Sequence, residues 1–170
     1  MAFNINVVNS CKYITIRASR YDPTATQATI TVENMDTNTT YSTTMDYDGG
    51  TGRGLLNIPT ENLSQKHGVF KVCINEGTPT PAACKPLLIK CDIDCCLTKL
   101  TDELIDCKCD CPKCASSLAK AQKVFLLLQS AQSAVEIAGN NVTNNGYYID
   151  ILEKYKKARS ICDESCGCDC

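Results

Sequence analysis

The sequence predicts an α+β protein of two domains: an all-β immunoglobulin-like sandwich at residues 1–90 and a cysteine-tied three-helix module at residues 91–170. Three observations predict this organisation. Apolar residues recur with a period of two in the first half, with a helical period in the second, and eleven of the 14 cysteines follow residue 90. Because all three properties change at one place, we expect the domain boundary near residue 90.

The first half contains seven short runs rich in residues that favour strands. In order they are Asn4–Ser10, Tyr13–Ser19, Ala28–Asn34, Thr40–Asp46, Gly54–Ile58, Val69–Ile74 and Leu87–Lys90. In the second run, Tyr13, Thr15 and Arg17 alternate with Ile14, Ile16 and Ala18, which indicates a sheet with one buried face. Seven strands in ninety residues is the size of an immunoglobulin-like sandwich, and a small barrel is the alternative.

The second half predicts three helices. The first runs from Asp94 to Asp106, the second from Pro112 to Ala138 and the third from Asn145 to Ser160. The predicted inward face of the second helix consists of Leu118, Ala121, Phe125, Leu128, Gln132 and Val135. That of the third consists of Tyr148, Ile151, Leu152, Tyr155 and Ala158. The short connection between these two helices predicts an antiparallel hairpin.

An antiparallel hairpin brings two groups of cysteines together at one end. They are Cys107, Cys109, Cys111, Cys114, Cys162, Cys166, Cys168 and Cys170. Their C-x2-C and C-x3-C spacings are typical of zinc ligands, so we expect one or two structural zinc ions to clamp a zinc-stapled helical hairpin. Disulfides are the alternative. The N-terminus shows no signal peptide, which favours a reducing compartment and therefore zinc.

A second cysteine group lies where the predicted sandwich meets the helices. Cys91, Cys95 and Cys96 could form an additional metal site, with Cys84 as a neighbour. Buried cysteines that act as small apolar side chains are an equal alternative.

Composition argues against several classes of function. The net charge of −2 disfavours a nucleic-acid binder, and the absence of any apolar stretch of about 18 residues disfavours a membrane protein. The single histidine, His67, leaves no nucleophile–histidine–acid set, so we expect no enzymatic activity.

The second half also resembles a family of small virion proteins of tailed phages, including marine phages and the crAss-like phages of Bacteroidetes. The matching segments are Cys95-Cys96-Leu97-Thr98-Lys99-Leu100, Asp106-Cys107-Lys108-Cys109-Asp110-Cys111, Phe125-Leu126-Leu127-Leu128-Gln129-Ser130-Ala131, and Ile161-Cys162 leading to Cys166-Gly167-Cys168. The resemblance covers roughly residues 90–170. It implies a virion structural protein in which a variable β-rich domain precedes a cysteine-tied helical module.

From this resemblance we expect a neck or tail subunit, as part of a ring, a collar or a fibre attachment. A capsid decoration or head-fibre protein is the first alternative, and a zinc-stabilised adaptor that binds a protein partner is the second. The expected partners are other virion proteins and copies of the chain itself, and the expected location is the virion, assembled in the bacterial cytoplasm. Val124, Leu126 and Leu127 lie off the predicted helix seam, so we expect them to form a partner-binding surface.

Overall fold

The computed structural model describes residues 4–77, 83–106 and 112–166, and these form an α+β fold with the strands first and the helices after them. The strands are β1 (Asn4–Asn9), β2 (Tyr13–Ser19), β3 (Gln27–Asn34), β4 (Thr40–Asp46), β5 (Arg53–Pro59), β6 (Gly68–Asn75) and β7 (Ala83–Ile89). The helices are α1 (Cys91–Asp106), α2 (Pro112–Ile137) and α3 (Asn145–Cys166). The predicted fold class and order of elements are confirmed at this level.

The seven strands form two antiparallel sheets. One has the order β1-β2-β5 and the other the order β4-β3-β6-β7. The alternation predicted in β2 is present, since Ile14 and Ile16 are buried while Tyr13 and Arg17 face solvent. The inward residues of both sheets form one apolar core that includes Ile30. Burial of these side chains drives the two sheets together.

The three helices form a further layer on the outer face of the four-stranded sheet. Val69 on β6 and Leu88 on β7 point away from the sandwich core and belong to the apolar cluster of the helices. A hydrogen bond from the backbone N–H of Val142 to the carbonyl oxygen of Cys84 (2.9 Å) joins the connection between α2 and α3 to β7. Successive side chains of β6 and β7 point to opposite faces of the sheet. One set therefore packs in the sandwich core, and the other set packs against the helices.

Several boundaries differ from the sequence prediction. Helix α1 begins three residues earlier than expected, at Cys91, and α3 continues past Ser160 to Cys166. Strand β7 begins at Ala83, because the pairing of Cys73 with Cys84 extends its ladder with β6. The extensions of α1 and α3 each include a cysteine bonded to a residue more than 60 positions away, and sequence periodicity does not record such a contact.

The predicted inward face of α3 is confirmed at all of its five positions. The predicted face of α2 is wrong in part: Leu118 and Phe125 are exposed, whereas Val124 and Ala131 are fully buried with Leu128. Helix α2 packs against both α1 and α3, so its buried face is rotated relative to the face of a two-helix hairpin.

Candidate functional site

Three disulfides join pairs of described residues, and each connects two different parts of the fold. Cys73 and Cys84 join β6 to β7, with their Cα atoms 4.1 Å apart. Cys11 and Cys91 join the β1–β2 turn to the first residue of α1 (Cα–Cα 6.1 Å). A third bond joins Cys96 on α1 to Cys162 on α3 (Cα–Cα 5.9 Å). Helix α1 is therefore covalently attached to the sandwich at its start and to α3 one turn later.

The turn between β1 and β2 places Cys11 for its bond. Cys11 has a positive φ of 66°, a conformation found mainly in tight turns. The hydroxyl of Thr60 donates a hydrogen bond to the carbonyl oxygen of Cys11 (2.8 Å) and fixes this turn from the neighbouring strand connection. A residue distant in sequence thus helps to hold the sulfur of Cys11 beside α1.

These pairings correct the predicted metal role of several cysteines. Cys91 and Cys96 belong to disulfides, and Cys95 is disulfide-bonded as well, so the described residues give the additional metal site no support. Cys162, one of the eight expected zinc ligands, is bonded to Cys96. The physical reason is that α1 lies against α3, which a hairpin of two helices alone does not anticipate.

The rest of the predicted zinc clamp falls outside the described residues. This applies to Cys107, Cys109, Cys111, Cys168 and Cys170, and to the side chains of Cys114 and Cys166. Within the ranges that the structure describes, no group of three or more metal-ligating side chains is present. The disulfide alternative therefore fits the described cysteines, and zinc has no support there.

A partly buried polar cluster lies between α1 and α3, close to these disulfides. The phenol of Tyr155 donates a hydrogen bond to Oδ2 of Asp92 (2.8 Å), and Nη1 of Arg159 lies 3.2 Å from the same oxygen. Burial raises the pKa of the Tyr155 phenol, and the charge of Asp92 raises it further. Tyr155 therefore stays protonated at neutral pH and remains a donor to the carboxylate.

The predicted partner surface is only partly exposed. Val124 is fully buried in the helical core, so its predicted role at a partner surface is wrong. Leu127 is partly buried against the same core. Leu126 is 62% exposed, and its neighbour Phe125, which we expected inside, is 56% exposed. The apolar surface of α2 is thus centred on Phe125 and Leu126.

A groove of about 360 Å³ runs between α1 and α2 beside this surface. Leu97 and Phe125 supply part of its apolar lining, and Gln129 and Gln132 supply amides. Lys90 and Asp94, which form an ion pair (2.6 Å), also line it. The groove is therefore lined by both apolar and polar side chains.

Sequence reasoning missed the bond between Cys11 and Cys91 and the contact of Tyr155 with Asp92. Both join residues that lie more than 60 positions apart. Tyr155 and Arg159, four positions apart on one helix, provided a local signal for the polar cluster.

No known protein-family model matches this chain, and no curated protein is significantly similar to it. Among the described helices, none is both long enough and apolar enough to cross a membrane.

Proposed function

We propose that this chain is a non-enzymatic structural subunit of a tailed-phage virion, placed in the neck or tail as part of a ring, a collar or a fibre attachment. The resemblance of residues 90–170 to small virion proteins motivates the proposal. The observation that carries it is the pair of exposed apolar side chains on α2, Phe125 and Leu126, beside a groove. Such a surface gains free energy when a neighbouring protein covers it.

The rigid attachment of this surface supports a structural role. Phe125 and Leu126 project from a helix whose other face is packed in the same core as Val69 and Leu88 of the sheet. The bond between Cys96 and Cys162 fixes the adjoining helices α1 and α3. A neighbour bound to α2 is thereby held at a defined position relative to the sandwich.

We further assign the sandwich to the immunoglobulin-like class. In the constant-type arrangement, the first, second, fifth and fourth strands form one sheet and the other three strands form the second. Here β1, β2 and β5 keep that arrangement, while β4 pairs with β3 instead of β5. Moving one edge strand to the opposite sheet accounts for the difference.

We propose disulfides, in place of zinc, as the links of the helical module. Disulfides persist in oxidising surroundings, which a phage particle enters after it leaves its host. The chain can assemble in the reducing cytoplasm and form its disulfides after release. Packing of the apolar cluster already brings Cys96 on α1 and Cys162 on α3 together, so this bond can close once the surroundings become oxidising.

The test is to purify particles of the phage that encodes this chain and to identify their proteins by mass spectrometry. Gold-labelled antibodies against the chain then locate it by electron microscopy. We expect label at the neck or tail, whereas label over the head supports the capsid alternative, and absence from particles contradicts the proposal.

A matched pair of variants tests the surface. Leu126→Glu places a charge on the apolar patch, and Gln122→Glu places the same charge on an exposed polar position of α2 that does not line the groove. We expect Leu126→Glu to fold but to be incorporated into particles at least tenfold less, while Gln122→Glu is incorporated normally. Equal incorporation of the two variants contradicts a role for this patch.

A further inference from the structure

Strand β4 lies at one edge of the four-stranded sheet. Along it, the N–H and C=O groups of one residue point towards β3 and those of the next residue point away from the sheet. The N–H of Asn34 donates to the carbonyl oxygen of Thr39 (2.8 Å), and the N–H of Tyr47 donates to that of Thr26 (2.9 Å). In an antiparallel ladder such pairs recur at every second residue. Odd-numbered residues of β4 therefore bond to β3, and Thr40, Ser42 and Thr44 direct their N–H and C=O groups outward.

The opposite edge of this sheet, β7, is protected at the equivalent positions. The outward carbonyl of Cys84 accepts a hydrogen bond from the N–H of Val142, and that of Leu88 accepts one from Nδ2 of Asn9 (both 2.9 Å). The outward residue between them is Pro86, which has no N–H. The outward backbone groups of Cys84, Pro86 and Leu88 are thus unable to pair with the edge of another sheet.

Strand β4 has none of these protections between Thr40 and Thr44. In the described part of the chain, no hydrogen bond reaches the outward backbone groups of Thr40, Ser42 and Thr44. The segment contains no proline and no lysine. Only its C-terminal end is covered, where Tyr47 pairs with Gly54. An open, regular edge of this kind is a template for an added strand.

We propose that β4 pairs antiparallel with β4 of a second copy of this chain, across a twofold axis at Ser42, to form a continuous eight-stranded sheet. In this register Thr40 lies opposite Thr44 of the second copy, and the two Ser42 residues face each other. The three outward residues of each chain then exchange all of their free backbone hydrogen bonds.

The composition of the segment favours a second copy as the occupant. No charged side chain lies between Thr40 and Thr44, so bringing two copies together creates no like-charge repulsion. The pairs of Thr40 with Thr44 place hydroxyl and methyl groups directly opposite each other, a combination that stabilises antiparallel sheets. The register also keeps faces matched, since Tyr41 and Thr43 of both copies remain on the inner face.

Light scattering coupled to size-exclusion chromatography tests the proposal on the full chain. We expect the wild-type protein to show twice the 18.5 kDa mass of one chain and to dissociate on dilution. Ser42→Pro removes the central outward N–H without touching a bond to β3, and we expect a twofold fall in mass. Ser42→Ala keeps that N–H and should remain dimeric.

Two further measurements distinguish pairing of β4 from covalent cross-linking and from association through a different surface. Electrophoresis without reductant detects copies joined by disulfides, and a dimer that exists only in that form overturns the proposal. Hydrogen exchange of the wild-type protein, at high and low concentration, should show protection of the Ser42 and Thr44 amides only at high concentration. This readout decides the question even where Ser42→Pro fails to fold. A monomeric wild-type protein, or amides that exchange equally at both concentrations, overturns the proposal.

Discussion

The phenol of Tyr155 on α3 donates a hydrogen bond to the carboxylate of Asp92 in the first turn of α1. The other carboxylate oxygen of Asp92 is buried and has no hydrogen-bond partner among the described residues. Arg159 lies beside the oxygen that Tyr155 contacts. Asp92 thus depends on two residues of α3, and the start of α1 is held against α3 by a buried charge as well as by apolar packing.

Tyr155→Phe should therefore destabilise the protein. Removal of the hydroxyl leaves Asp92 less well paired in a mostly buried position, which costs about 1–3 kcal/mol. Chemical unfolding of the variant and the wild type measures the difference. Tyr13→Phe is the control, since Tyr13 is 49% exposed and should change the free energy of unfolding by less than about 0.5 kcal/mol. Equal effects of the two substitutions would show that the contact with Asp92 contributes nothing.

Stability should fall as the pH rises above about 10, the ordinary pKa of tyrosine. Burial is the main cause that raises the pKa of Tyr47, Tyr148 and Tyr155 in the folded protein. Above pH 10 these phenols ionise more readily in the unfolded chain, so the unfolded state binds fewer protons and the free energy of unfolding decreases. Urea unfolding between pH 8 and 11 measures the slope, with free thiols blocked beforehand. The slope should be smaller in Tyr155→Phe, and a stability that stays constant over this range contradicts the raised pKa values.

The bond between Cys96 and Cys162 should stabilise the folded protein by about 2–4 kcal/mol, because it closes a long loop of the unfolded chain. Cys96→Ser and Cys162→Ser should each lose this stabilisation, and the double variant should lose no more than either single variant. Unfolding of the three variants without reductant tests this. Additive losses would mean that the two residues are not partners.

Intact mass spectrometry distinguishes disulfides from zinc. The oxidised protein should be lighter than its reduced form by two hydrogen atoms for each bond, and its native spectrum should show no metal held by Cys91, Cys96 or Cys162. Peptide mapping without reduction should recover Cys11 linked to Cys91 and Cys73 linked to Cys84. Zinc in the native spectrum together with free thiols at these positions would restore the metal hypothesis.

Val124→Ala should cost about 2 kcal/mol, because it removes two methyl groups from a fully buried side chain and leaves a cavity. Leu126→Ala on the same helix should change the stability of the isolated chain by less than about 0.5 kcal/mol, since Leu126 is exposed. Thermal unfolding of both variants tests which residue faces the core. Equally small losses for the two variants would fit the orientation that periodicity predicted, in which both residues lie off the helix seam.

Gly54→Ala should also destabilise the sandwich. A Cβ atom at Gly54 would lie 2.7 Å from Cε of Met45, whose side chain is buried in the core, and such overpacking costs about 1–3 kcal/mol. Gly49→Ala is the matched control, because a Cβ atom there meets nothing within 4 Å. Equal midpoints of thermal unfolding for the two variants would show that the core can absorb the added carbon.

The strands and the inward face of α3 could be predicted from the sequence because their signals are local. Alternation around Ile14 and Ile16, and the helical spacing of Tyr148, Ile151 and Tyr155, follow from which face of an element meets the core. The face of α2 could not be predicted in the same way. Its buried residues face two helices, and the position of α1 depends on contacts of Cys91 and Cys96 with distant parts of the chain.

The cysteines show the same difference between local signals, which the sequence records, and long-range contacts, which it does not. Spacing along the chain led us to expect a clamp between α2 and α3, and most of its cysteines lie outside the described residues. The link that the described residues do show joins Cys96 on α1 to Cys162 on α3, and spacing could not indicate this pair. Cys11 lies 80 positions before its partner, in a turn that no cysteine motif includes. Only the packing of the sandwich against α1 brings Cys11 and Cys91 together.

Two of the disulfides on α1, Cys11–Cys91 and Cys96–Cys162, define a covalent path for mechanical force. A pull on α3 passes through Cys162 to Cys96, along little more than one turn of α1 to Cys91, and then to Cys11 in the sandwich. Neither the connection between α1 and α2 nor α2 itself has to carry that tension. If neighbouring proteins in a particle pull on this subunit, the two disulfides and the short segment of α1 between them bear the load. The hydrophobic contacts between the helices and the sandwich would separate only after this path had lengthened.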